Sequence, residues 1–77
     1  MPLSLNQLAP AAIAVIHALN VGQDLRRRMS GLGLRPGARV QVIRTSPLNG
    51  PMQIRVGHTD LILRRAEAAR IEVAAAG

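Results

Sequence analysis

A chain of 77 residues has room for one domain and none for a deep cleft walled by its own side chains. It has no cysteine, which excludes a disulfide framework and a thiolate metal site. Its net charge of +6, carried by arginines with no lysine, points either to an acidic partner or to a compositional habit of the source. Phe, Tyr and Trp are absent, which removes the aromatic platforms that modules for single-stranded nucleic acid and for proline-rich peptides usually offer.

Leu3–Leu8 reads as a short helical turn or an edge segment, with Ser4 and Gln7 at capping-box spacing, and Pro10 ends it. Ala12–Leu19 sets Ile13, Val15 and His17 against Ala14, Ile16 and Ala18. Both sets are largely apolar, so the segment is expected to be a strand buried on two sides with His17 packed in it, a helix being the alternative. Asn20–Gly22 is a break, and Asp24 then stands where an N-cap or first-turn carboxylate belongs. Leu25, Met29 and Leu32 form one apolar helical stripe, with Arg26, Arg27 and Arg28 fanned around the other sides. Gly33 is the expected left-handed stop, and Pro36-Gly37 the centre of a type II turn.

From Ala38 to Thr45, Val40 and Val42 alternate with Arg39, Gln41 and Ile43 as a strand. Ser46–Pro51 is a loop with its turn signal at Asn49-Gly50. Met52, Ile54 and Val56 begin a hairpin whose turn is Gly57-His58, of the type that places glycine first, and Leu61 and Leu63 line the returning strand. Arg65–Arg70 is an alanine-rich helical turn, Ile71 and Val73 a last short strand, and Ala74–Gly77 a loose tail. The sum is a mainly β domain over 1–77, with its core from about 5 to 73. About five short antiparallel strands, one short α-helix and a C-terminal helical turn close into a small barrel, because a set this small cannot stay flat with one face wet.

At this point the residues resemble a known family. Leu32-Gly-Leu-Arg-Pro-Gly37 is similar to the "LGL-x-PG" signature of the ferrous iron transport protein A (FeoA) family. Ser46-Pro-Leu-Asn-Gly-Pro51 resembles its "P-x-G-x-P" loop, with one residue of variation. Arg55-Val56-Gly57, then Leu61 through Val73, resembles its closing "LRR-x-EA-x-x-I-x-V" pattern. The three pieces stand in order over Leu5–Val73. One departure is the first turn, where the family often has Pro-Gly and Pro10 is here followed by Ala11-Ala12. The resemblance implies an SH3-like barrel in the cytosol and a partner, the membrane ferrous iron transporter FeoB, which carries a cytosolic G-protein domain. Such proteins are thought to bind that transporter and support or regulate iron uptake. A related barrel closes the diphtheria-toxin-repressor-type metalloregulators, but no helix-turn-helix accompanies it here.

The expected role is therefore a non-enzymatic accessory of ferrous iron uptake. The alternative is a basic nucleic-acid-associated or metalloregulator-like SH3-like module. The serines, histidines and aspartates form no recognised nucleophile motif, so no catalytic residue and no cofactor are expected. His58 and Asp60 are the only close pair of metal-ligand types, and on a strand i and i+2 share a face, but two ligands at a hairpin tip fall short of a site. The docking candidates are Arg26, Arg27 and Arg28 on the helix, Pro47, Leu48, Asn49 and Pro51 in what reads as a neighbouring loop, and Arg64 and Arg65 near the closing turn. Nucleic acid is not expected as a partner, and open strand edges leave homo-oligomerisation open. No apolar run approaches the ~20 residues of a membrane span, and no leader pattern opens the chain, so contact with a membrane is expected only through the partner and the location is expected to be cytoplasmic.

Overall fold

Aliphatic residues recurring at every second position of short segments give one antiparallel sheet. The structure, a computed structural model, describes residues 3–76. Its strands are β1 (Leu3–Ser4), β2 (Ile13–Leu19), β3 (Arg39–Thr45), β4 (Met52–Val56), β5 (Thr59–Leu63) and β6 (Ile71–Ala75). Helix α1 (Gln23–Gly31) lies between β2 and β3, and α2 (Arg65–Ala68) between β5 and β6. A 3₁₀ turn at Leu5–Gln7 follows β1, and the Ser4 N–H donates to Gln7 Oε1 at 2.8 Å, as the capping-box spacing implies. The order across the sheet is β1-β6-β2-β3-β4-β5.

The described residues thus hold six strands where about five are expected. The extra one is β1, two residues paired with Val73 and Glu72 of β6. The supposed loose tail is also sheet: Ala74 and Ala75 pair with Val15 and Ala14. Gly77 lies outside the described residues.

β2 is a strand, but not one buried on both sides. Ala14 and Ile16 face the core, whereas Ile13 and His17 are exposed. A register shift between Ile16 and Ala18 inverts the parity, so that Leu19 rather than Ala18 turns inward. Sequence alternation cannot show such a bulge. His17 keeps the outer face that plain alternation from Ile16 assigns it; it reads as packed only because the segment reads as buried on both sides.

α1 begins at Gly22, which supplies no side-chain cap, and Asp24 in its first turn and Arg28 in its last complement the helix dipole. At its end the Leu34 N–H reaches Met29 O (2.9 Å) and the Gly33 N–H reaches Ser30 O (3.0 Å), a Schellman closure. Gly33 holds φ +99°, and a Cβ there would come within 3.3 Å of Val56 Cγ1, so both backbone and packing require glycine. The chain reversal moves the apolar stripe: Met29 and Leu34 are buried, while Leu32, the expected third member, is 46% exposed. Gly37 (φ +92°) and the Ala38 N–H to Arg35 O bond (3.1 Å) then form the expected Pro36-Gly37 turn.

Leu5, Ile16, Leu34, Val40, Val42, Met52, Ile54 and Ile71 are the largest fully buried side chains, and no polar or charged residue is buried among the described residues. Each such aliphatic contributes about 1.5–3 kcal/mol on leaving water, and without aromatics the core depends on many of them. The sheet curls rather than lying flat, with Cα extents of 29 × 29 × 27 Å. Its outer strands, β1 and β5, are joined by one side chain. Arg65, two residues past β5, donates from Nη1 to Asn6 O in the turn after β1 (3.0 Å) and from Nε to Gly50 O in the β3–β4 loop (2.9 Å). A guanidinium bonded to two backbone carbonyls fixes the distance between the sheet's two ends, because its donors sit in a rigid fork.

Candidate functional site

The exposed arginines of α1 border an open groove of about 720 Å3. His17, Ala18 and Leu19 of β2 form its floor; Gln23, Arg26, Arg27 and Ser30 of α1 form one wall, and Arg35 with Pro36 the other. The Schellman closure and the tight turn at Pro36-Gly37 double the chain back and so set Arg35 across from α1. Arg26 is steadied by a bond from Nη2 to Val21 O at 3.2 Å. Arg27 and Arg35 make no ion pair among the described residues, and no carboxylate lines the groove. Arg28 is exposed on α1 but does not line it. Arg35 and His17 are the members that sequence reasoning missed. The signal for Arg35 was its place as the variable residue between Leu34 and Pro36, in a segment where every neighbour is structural.

The Pro47–Pro51 loop is elsewhere. None of its residues lines this groove; it abuts α2, where its Gly50 carbonyl receives Arg65. Its turn centres on Leu48 and Asn49, both at φ +57°, with the Gly50 N–H on Pro47 O at 3.1 Å, one residue earlier than the Asn49-Gly50 signal suggests. Gly50 is needed for closeness, since a Cβ there would lie 2.8 Å from Ser46 Cβ. Leu48 stands 99% exposed at the tip. Arg64 is exposed and precedes α2, its N–H donating to Glu67 Oε1 at 3.0 Å. Arg65 is half-buried and occupied within the fold.

His58 and Asp60 lie on the β4–β5 hairpin, but the Asp60 carboxylate is already engaged. Arg55 donates to it from Nε (2.7 Å) and Nη2 (3.1 Å), and Gln53 from Nε2 (3.0 Å). The Arg55 hydrogen bonds hold its carboxyl below the usual range and raise the guanidinium in turn. A cation there would have to displace an arginine. No cluster of three or more His, Cys, Asp or Glu side chains suited to a metal occurs among the described residues. No helix of the described residues is long and apolar enough to cross a membrane.

A curled six-stranded antiparallel sheet with a helix between its second and third strands, and an open groove beside that helix, defines a small SH3-like module. A family model for the FeoA domain matches residues 3–75, and the chain belongs to the FeoA family. The solution structure of the FeoA protein from Chlorobium tepidum superposes with a TM-score of 0.92 at 31% identity, over 97% of this chain and 71% of that one. FeoA of Stenotrophomonas maltophilia, crystallised with zinc and described as a prokaryotic SH3-domain protein, superposes with a TM-score of 0.80 at 29% identity, over 94% of this chain and 89% of that one. A manganese-dependent transcriptional repressor shares the fold (TM-score 0.85) at 14% identity, this chain spanning 44% of its length.

Proposed function

We propose that this chain is a non-enzymatic cytosolic accessory of ferrous iron uptake that docks on the cytosolic part of the membrane transporter FeoB and modulates it. Membership of a family named for ferrous iron transport supports the system, and the S. maltophilia relative has been put forward as a ferrous iron transport activating factor. The observation that carries docking is the groove beside α1, where Arg26, Arg27 and Arg35 converge and no carboxylate is among the lining residues. Cations left unpaired on a domain that pairs Arg55 with care are available to an acidic surface, and such charges steer association and select partners. The proline-framed loop, with Leu48 fully exposed at its tip beside Pro47 and Asn49, is a second contact in this reading. Co-purification with the transporter tests it, comparing wild type with Arg27→Glu and Pro47→Ala. Arg27→Glu is expected to lose the complex and to reduce ferrous uptake in cells. A deletion strain with unchanged uptake, together with no complex from the wild type, would sink the proposal.

A further inference from the structure

The floor of the groove is a strand with one open margin. β2 pairs with β3 only over Ile13–Val15, and the last bonds on that side are Ile16 N–H to Ala38 O (2.9 Å) and Gly37 N–H to Ile16 O (2.8 Å). On its other side β2 stays paired with β6 as far as Leu19. His17–Leu19 therefore has a strand on one side and, among the described residues, none on the other, where the groove lies. Three strand residues span about 10 Å. Backbone groups point alternately to the two sides of a strand. With Ile16 bonded on the β3 side and the Asn20 N–H on the β6 side, the N–H and C=O turned to the groove are those of Leu19, enough for one ladder pair with another chain.

We infer that the groove takes an extended acidic peptide segment of the protein partner, added as a short strand along His17–Leu19, with its carboxylates on Arg26, Arg27 and Arg35. The inference rests on the docking reading above and names the chemistry of what docks. Main-chain donors and acceptors along a strand margin match another peptide backbone, which gives affinity, while side chains at alternate positions give selectivity. The arginines stand on both walls above that margin and no carboxylate opposes them, so acidic side chains at alternate positions fit them by charge and by planar geometry. A single-stranded nucleic acid would find the same charge, but the chain has no aromatic ring for a base to stack on.

The test is an amide-resolved NMR titration with four probes: a capped eight-residue peptide alternating Glu and Val, the same peptide alternating Lys and Val, an eight-nucleotide oligothymidylate, and inorganic phosphate. The Glu-Val peptide is expected to shift Ala18, Leu19, Arg27 and Ser30 saturably, and to weaken as salt rises. Arg27→Glu with Arg35→Glu is expected to weaken it by at least about tenfold, whereas the charge-matched control Arg44→Glu, on the exposed face of β3, retains most of the binding. N-methylation of alternate peptide bonds should cost as much as the double substitution, since it removes the donors that strand addition uses. The inference is overturned by equal binding of the N-methylated or the Lys-Val peptide, by an equal loss in Arg44→Glu, or by oligothymidylate or phosphate shifting the same amides as strongly. It also fails, with docking intact, if the Arg27→Glu, Arg35→Glu protein still co-purifies with the transporter. If even the wild type does not co-purify, docking fails, and the peptide titration alone decides the groove.

Discussion

Two regions of this small surface use arginine in opposite ways. On the β4–β5 ribbon, Arg55 faces Asp60 across the strands and holds it bidentately, with Gln53 as a third donor. In the groove beside α1, Arg27 and Arg35 have no ion partner among the described residues. The contrast teaches that the net charge of +6 is not spread evenly in its consequences. Where a carboxylate sits at the cross-strand position the charge is neutralised locally; where the chain doubles back without supplying one, the charge remains available to a partner. Arg65 is a third case, since its guanidinium bonds backbone carbonyls and holds the fold together.

Several substitutions would break or sharpen this division. Arg65→Ala leaves the Asn6 and Gly50 carbonyls without their donor, and an unfolding free energy lower by about 2–3 kcal/mol is expected in urea melts. An unchanged melt would return Arg65 to the class of surface cations. Ala11→Gly is expected to raise stability by about 0.5–1 kcal/mol, because Ala11 holds φ +72° where the family often has glycine; relieved strain outweighs the added freedom of the unfolded chain. Arg27→Glu and Arg35→Glu should each leave thermal unfolding within about 0.5 kcal/mol of wild type, as expected of surface groups outside any internal network. A larger loss would mean that the groove arginines are structural after all. The smallest effect is expected from Asp60→Asn, and it depends on pH. The native carboxyl is depressed by Arg55, so its contribution is present above the ordinary carboxylate range and is lost as pH falls through the native value. Wild type and Asp60→Asn should differ slightly in melting temperature at neutral pH and converge in strong acid. A difference that persists there would assign the effect to something other than the ion pair.

How legible each part was follows from how local its cause is. The helix stop at Gly33, the Pro36-Gly37 turn and the Gly57-His58 hairpin each depend on two or three adjacent residues, and all three lie where the sequence places them. The β3–β4 turn is displaced because Gly50 is needed for closeness to Ser46 rather than for its own φ, which leaves Leu48 and Asn49 to take the left-handed positions. Strand β1 could not be read with assurance from two residues, because its only partner among the described residues is more than sixty residues away in β6. The docking candidates were legible as charge and as exposed loop, but not as a site. The α1 arginines and the Pro47–Pro51 loop read as neighbours in the sequence pattern, yet the loop abuts α2 while the arginines look onto β2.

Composition and local pattern alone determined that this chain builds an aliphatic antiparallel module with an arginine-rich helix, and three short motifs determined its family. Periodicity and turn chemistry act over a few residues, so they survive without knowledge of the rest of the chain. Only the tertiary structure decided which arginines are paired, which one clasps the barrel, and that His17–Leu19 lies open beside α1. Those facts depend on a bulge, a sheet order and contacts between distant segments, and no local signal carries the energy of such contacts.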